Sequence, residues 1–391
     1  MYDLQWLLDP ISIDEFASDW WQVRPGLLAT DRGDYYGKLF GFENMEFLLE
    51  YCQPKPPAIR ITSTKEAKNR DIPIMANGRL NMDEIRRHYA DGQTIIVNSV
   101  EDYSPKVAST IQAIQRELSF RVQANAYLTP ATTQGFNPHY DTHDVLVLQI
   151  EGEKLWHIYG EDSKCPLNEM IDGDPFRRKD LSPSVVIKLV PGDLLYVPRG
   201  WIHEAETIDC ASLHLTFGIH AATGRDLVAT ALENICRDRP EYREALPIGF
   251  LQKPVDLELL TEIYQRLVCN LATHGSVEDS VLAIEDNVVR LGRSAGDGQM
   301  FSSLNSLESL TLKSVVERRP DLYVRQVDVG DTPGIQFSQS LVASSDEFRE
   351  GMNFVIQSNQ PFRVCDVPGL AEQEQLELVT TLVRDGLLRP V

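Results

Sequence analysis

The chain has 391 residues, more than one ordinary hydrophobic core accommodates, and reads as two or three domains. Fifty-eight acidic against thirty-seven basic residues give a formal net charge of −21. Such a surface repels phosphate backbones, which argues against nucleic acid as the main partner, and favours encounter with a basic polypeptide. Cys52, Cys165, Cys210, Cys236, Cys269 and Cys365 are scattered without a Cys-x-x-Cys pair, so neither a zinc knuckle nor a disulfide framework is expected. No stretch is long and apolar enough to span a bilayer, and Asp3 and Asp9 interrupt the start, where a signal peptide would need an apolar run. The expectation is a protein of a reducing, cytoplasmic compartment.

The tract 1–222 opens with helical material and continues into short apolar runs broken by Gly, Pro and Asp. Strands are predicted at Thr94–Val97, Arg121–Leu128, Val145–Ile150, Leu155–Tyr159, Val185–Val190, Leu194–Val197 and Ala211–Ile219. With turns such as Glu151-Gly152 and Pro191-Gly192-Asp193 between them, strands at this spacing imply a jelly roll or barrel. In the tract 223–309, Leu227, Ala231 and Ile235 recur at helical spacing before a break at Pro240, the pattern of a packing or dimerisation element and hence of a homodimer. The stretch 292–298 reads as a flexible loop. The tract 310–391 mixes strands (Tyr323–Val327, Ile335–Phe337) with helices and ends in a helix, an Asp-Gly turn and a short apolar run, like the close of a winged helix. Glu372, Glu374, Glu377 and Asp385 in that last helix and turn are the wrong charges for a groove-reading helix.

The chemistry concentrates in Asn137-Pro138-His139-Tyr140-Asp141 and, some sixty residues on, Gly200-Trp201-Ile202-His203. Two imidazoles and one carboxylate can hold one face of a ferrous ion and leave the opposite positions open. The same set also suits a hydrolytic zinc, so ligand type leaves the metal open. A His-x-Asp triplet is short enough to occur by chance among eight histidines. Its place just before the apolar run Asp144–Ile150 sharpens it, because residues two apart at a strand's edge point to one side. His143 shares that parity and is the chief competitor; His157, His214 and His220 are further rivals for the third position. His203, after the predicted strand Leu194–Val197 and a Pro-Arg-Gly turn, is the preferred third ligand.

Around these positions lie Asn125-Ala-Tyr127-Leu-Thr-Pro, Gln134-Gly-Phe-Asn-Pro-His139-Tyr-Asp141, Val147-Leu-Gln149-Ile-Glu-Gly152-Glu-Lys154-Leu-Trp156 and Gly192-Asp-Leu-Leu-Tyr196-Val-Pro-Arg-Gly-Trp-Ile-His203. Together they resemble the JmjC-type ribosomal oxygenases, the cupin-like Fe(II)/2-oxoglutarate-dependent protein hydroxylases. Leu8-Asp-Pro-Ile-Ser and Asp34-Tyr35-Tyr36-Gly37 resemble that family's N-terminal segment, so the likeness extends over nearly the whole chain. The resemblance implies a mixed α/β multi-domain fold: a double-stranded β-helix core, then a helical dimerisation domain and a C-terminal winged helix.

It also implies roles. His139, Asp141 and His203 would bind Fe(II), and Lys154 would grip the distal carboxylate of 2-oxoglutarate, with O2 as the second cosubstrate. An ammonium suits a carboxylate, although a lysine at a Glu-Gly turn is otherwise unexceptional. Tyr127 would donate a hydrogen bond to the same carboxylate, with Asn125 its polar neighbour on one strand face; a half-buried strand tyrosine is the plainer account. Thr216 and His214, of one parity on the last core strand, would approach the cosubstrate, and Gln134, Gly135 and Phe136 would line the substrate mouth. The implied reaction couples decarboxylation of 2-oxoglutarate to hydroxylation of a polypeptide side chain. Its wording is nearer the histidine-modifying than the arginine-modifying branch, with a ribosomal protein or a ribosomally made peptide as substrate. Two other classes remain: a cupin metalloenzyme without 2-oxoglutarate, for which Lys154 and Tyr127 would be dispensable, and a metal-containing binding protein with no turnover.

Overall fold

The structure, a computed structural model, describes residues 2–29, 31–64, 72–170, 182–252, 256–292, 298–320 and 322–391. Ten strands build the first unit: β1 Gly26–Leu28, β2 Ile59–Thr62, β3 Thr94–Asn98, β4 Arg121–Thr129, β5 Asp144–Gly152, β6 Lys154–Glu161, β7 Val185–Leu189, β8 Leu194–Val197, β9 Trp201–Glu206 and β10 Ser212–His220. They form a seven-stranded sheet, β1-β8-β5-β10-β4-β3-β2, and a three-stranded sheet, β7-β6-β9, with every pairing antiparallel. Val145, Val147, Leu195 and Val197 of the large sheet pack with Trp156, Ile158 and Leu189 of the small one, so the two sheets close a jelly roll around a shared interior.

The large sheet's other face is covered as well. Along β10, Leu213, Leu215, Phe217 and Ile219 join a core with Leu4, Leu7, Leu8, Phe16 and Trp20 of the N-terminal segment and with Val107, Ile111 and Ile114 of the helix Pro105–Leu118. That helix is cut to fit its place. Ser104 caps it by accepting from the Val107 amide, proline occupies its first turn, and the buried Val107, Ile111 and Ile114 recur at i, i+4 and i+7. Each such side chain contributes roughly 1.5–3 kcal/mol on burial. The alternate residues Ser212, His214, Thr216 and Gly218 are left to face the interior.

The connection from β8 to β9 is tied down twice. The Tyr196 hydroxyl on β8 donates to Asp144 Oδ1 at 2.7 Å, and Asp144 also accepts from the Arg199 amide at 3.4 Å. Gly200 has φ +84° and donates its amide to Asp141 O at 2.9 Å; a Cβ there would lie 1.8 Å from Ser163 O. Glycine is therefore required by both conformation and space.

Three helices follow, Gly224–Asp238, Leu257–His274 and Val277–Leu291, and the middle one buries none of its residues. The loop expected at 292–298 lies outside the described residues over 293–297. The C-terminal unit has its own core, from Leu310 to Leu388. Its strands β11 Val315–Arg318, β12 Val324–Val329, β13 Thr332–Phe337, β14 Ser340–Ala343, β15 Phe362–Arg363 and β16 Leu388–Pro390 form two small sheets, β15-β11-β16 and β12-β13-β14. The helices Arg349–Gln357 and Glu372–Arg384 pack within that core through Met352, Val355, Leu378, Val379, Leu382 and Val383.

Candidate metal centre

Two chain segments meet at the mouth of the jelly roll. His139 and His203 form an isolated antiparallel bridge: the His139 amide donates to His203 O at 3.0 Å and the His203 amide to His139 O at 2.8 Å. His203 follows β8 and the Pro198-Arg199-Gly200 turn, and is itself a strand residue, on β9. The strand was hidden in the sequence because Trp201–Glu206 carries polar residues on both parities.

Donor atoms of His139, Asp141 and His203 all lie within 4.8 Å of one another, and no other group of His, Cys, Asp and Glu among the described residues gathers in this way. His203 Nε2 is 3.7 Å from Asp141 Oδ2. His139 Nδ1 lies 2.8 Å from Asn137 O, and His203 Nδ1 lies 2.9 Å from Trp201 O. A carbonyl only accepts, so each Nδ1 carries the proton and each Nε2 keeps its lone pair for a metal. Burial, reinforced by His139, pushes His203 down to about 4, so its ring is neutral at physiological pH. The donor set fits a divalent ion with open positions.

His143 is set apart. Residues 139–143 are irregular, so strand parity does not extend through them, and the His143 ring stacks on His220 with centroids 4.7 Å apart. It packs where Gly218 leaves room, a position at which a Cβ would come within 2.8 Å of the ring. His157 pairs with Glu206 at 3.1 Å.

The cavity beside the triad is lined by Arg60, Thr94, Tyr127, Gly135, Phe136, Val145, Val147, Lys154, Trp156, Ala205, His214 and Thr216. Lys154 is buried, and its ammonium donates to Thr129 Oγ1 at 3.0 Å. Burial alone pushes this lysine down to about 7. Tyr127 and His214, cross-strand neighbours on β4 and β10, stack with centroids 4.8 Å apart and planes 1° from parallel. Burial, helped by the Asp141 carboxylate, pushes the Tyr127 phenol up to about 12, so it remains a donor at neutral pH. Thr216 lines the same cavity. Asn125 does not; its amide oxygen accepts from the Ser99 amide and from Gln123. Gly135 and Phe136 are in the wall, while Gln134 is turned to Phe136 O and Glu204.

Three buried nitrogens in this wall, Arg60 Nε, Trp156 Nε1 and His214 Nδ1, have no hydrogen-bond partner. Buried polar groups without partners are costly. A cluster of them around one cavity, next to a buried ammonium held by a single hydroxyl, fits a polar, anionic ligand. Thr129 and Arg60 were not singled out from the sequence. Thr129 continues the i, i+2 series of Asn125 and Tyr127 and was within reach of the strand period. Arg60, between the buried Ile59 and Ile61, reads as a solvent-facing residue unless the strand's second face is known to be an interior.

The JmjC domain family matches residues 100–227. The chain is 32% identical over 251 residues to the bifunctional lysine-specific demethylase and histidyl-hydroxylase NO66 of Drosophila grimshawi, covering 62% of this chain and 34% of that protein. It is 28% identical over 264 residues to ribosomal oxygenase 1 of Danio rerio, covering 63% of this chain and 47% of that one. Residues 100–227 thus form a JmjC domain, and the chain is similar to a ribosomal oxygenase over 63% of its length. It spans about a third to a half of the length of these relatives. The JmjC fold also aligns with the structure of YcfD, a ribosomal oxygenase from Escherichia coli, in complex with cobalt and 2-oxoglutarate. That likeness has a TM-score of 0.58 at 15% identity and covers 97% of this chain and 98% of that one. An X-ray structure of E. coli ycfD gives 0.61 at 17% identity.

The geometry predicts one divalent site. In a calorimetric titration with Co(II), His139→Ala and His203→Ala should each weaken binding by at least about a hundredfold, while His143→Ala leaves it unchanged. An equal loss in His143→Ala would assign the third ligand wrongly.

Proposed function

We propose that the chain is an Fe(II)- and 2-oxoglutarate-dependent oxygenase that hydroxylates an amino-acid side chain, histidine in preference to arginine, in a ribosomal protein. The observation that carries this reading is the pairing of two sites in one cavity: a His-Asp-His donor set and, deeper, the buried Lys154 ammonium with one neutral partner. The curated relatives are named for histidyl hydroxylation and ribosomal oxygenation, which supports the reaction class and the substrate. When bound, Fe(II) and 2-oxoglutarate supply the oxidising chemistry, in which O2 turns the keto acid to succinate and CO2 and a substrate C–H to C–OH.

This chain's own residues bind and orient. His139, Asp141 and His203 hold the ion, their rings oriented by the Asn137 and Trp201 carbonyls. Lys154 takes the distal carboxylate, with Thr129 accepting one ammonium proton so that the remaining two face the ligand. Tyr127 donates its hydroxyl proton, with Asn125 behind it, and Thr216 and His214 close the same wall. Val145, Val147 and Trp156 keep water from the inner end. No side chain is required as nucleophile or general base.

We read 1–222 as the catalytic unit, 223–309 as the dimerisation unit and 310–391 as a winged helix used for contacts rather than groove reading. Apolar side chains left exposed on the middle helices support the dimer: Val228 and Leu232, Leu257, Tyr264 and Val268, Val277 and Val281. No described helix is long and apolar enough to cross a membrane. Sedimentation at micromolar protein should return twice the 44.2 kDa chain mass; a 44.2 kDa species alone would overturn the dimer.

Turnover is tested by admitting air to Fe(II)-loaded protein with 2-oxoglutarate and a panel of basic ribosomal-protein peptides. Succinate stimulated by a peptide, with one oxygen added to that peptide, is the expected result. His203→Ala should abolish it and Lys154→Ala reduce it by at least about a hundredfold. Absence of succinate in all arms would reject the oxygenase reading.

The low Lys154 pKa gives a pH signature. The free lysine loses its proton above about 7, whereas a bound carboxylate favours the ammonium. Affinity for 2-oxoglutarate should therefore be flat below about pH 7 and fall by up to about tenfold per unit above it. Binding isotherms at about pH 6.5 and about pH 8.5 measure this. Lys154→Arg should flatten the profile, because a guanidinium stays charged throughout.

A further inference from the structure

We infer that Arg60 sets the charge of the target side chain: its guanidinium excludes a cationic side chain from the cavity and donates to a neutral one with a hydrogen-bond acceptor. This rests on the polypeptide-oxygenase reading above. Arg60 sits on β2 opposite Ile96 of β3, and the burial alternation of β2 turns Ile59 and Ile61 to the outer core and Arg60 to the cavity. The strand is tied to the segment leading into the triad, because Thr62 Oγ1 donates to Gly135 O at 3.0 Å and the Thr64 amide donates to Gln134 O at 3.2 Å. Arg60 is thus held in fixed register with the metal ligands.

Arg60 has no hydrogen bond or ion pair among the described residues, and its Nε is buried and unpartnered. A guanidinium is always charged and offers five donors in a fixed fork. Asp141 is the one carboxylate among the described lining residues, and it would be taken by the metal. Glu204 is not among the lining residues and accepts from Gln134 and Tyr159.

The charges then sort themselves. A divalent ion and a dicarboxylate cancel, Asp141 and Lys154 cancel, and the Arg60 charge remains. Lys154 is held at Thr129 of β4, whereas Arg60 stands on the edge strand β2, which is tied to the Gln134–Gly135 wall, so the two cations are anchored to different parts of the cavity. A lysine or arginine side chain entering by the Gln134–Gly135 wall meets a like charge, with no carboxylate but Asp141 among the described lining residues to offset it. A neutral imidazole offers its lone pair to the waiting guanidinium donors. Arg60 acts here as a specificity-determining residue, touching the target rather than the cosubstrate.

The test uses full-length protein loaded with Zn(II) and 2-oxoglutarate, so that its readout does not need turnover. Binding of N-acetyl-histidine amide and N-acetyl-arginine amide is followed by ligand-observed NMR for wild type, Arg60→Met and Arg60→Glu, each checked for an unchanged Tm. Wild type should prefer the histidine probe by at least about tenfold. Arg60→Met, which keeps the stem and removes the charge, should lose that preference, and Arg60→Glu should reverse it. An unchanged ratio in both variants overturns the inference, as does failure of either probe to bind wild type at millimolar concentration. So does a loss of 2-oxoglutarate affinity in Arg60→Met with the probe ratio intact, which would assign Arg60 to the cosubstrate. Succinate formation by the same preparations with Fe(II) is scored separately: its absence rejects the oxygenase reading, while the probe ratio still decides the role of Arg60.

Discussion

The site depends on two backbone hydrogen bonds exchanged between His139 and His203. Sixty-three residues of chain separate these histidines, and nothing local would hold their rings 4.6 Å apart. The bridge converts a long-range meeting into a strand pairing, the cheapest way for two extended segments to fix each other in register. Everything else at the mouth follows from that register. Asp141 is brought in by the Gly200 amide, and Gly200 is itself held by a turn with no room for a side chain. The ring orientations come from carbonyls two residues upstream in each case, so each segment supplies both its ligand and that ligand's orienting partner.

The cavity behind the triad carries an unusual share of unpaired polarity. A folded chain tolerates few buried nitrogens without partners, and here three face one space with a desolvated ammonium beside them. Such an arrangement costs stability in the free protein. It is consistent with a site whose ligands complete the hydrogen bonding, so that binding energy offsets what folding left unmade.

Much of this was legible in the sequence, for identifiable reasons. Strands β3 to β8 and β10 announced themselves because apolar runs between Gly, Pro and Asp turns have little else to become. The triad was legible because its residue types are rare in that combination and stand beside a buried strand. Three things were not legible. β2 is four residues long, with an arginine that alternation assigns to solvent. β9 has polar residues on both parities, since one of its faces carries the metal ligand and the other the mouth. His143 remained a competitor because parity was extended through residues that do not form a strand. In each case the missing information was which side of the strand is interior, a property of the closed barrel and not of the segment.

The strands of the large sheet divide their residues cleanly between two environments. On β10, Leu213, Leu215, Phe217 and Ile219 belong to the outer core, while His214 and Thr216 belong to the cavity; on β4, Val122, Ala124 and Ala126 are outside and Tyr127 within. Stability and selectivity are thus written on interleaved but separate letters of the same segments. A lineage can exchange the inward letters, one strand residue at a time, without disturbing the packing that holds the sheet against its helices. The scaffold is accordingly free to drift between targets, and kinship in fold would persist long after the inward positions had diverged.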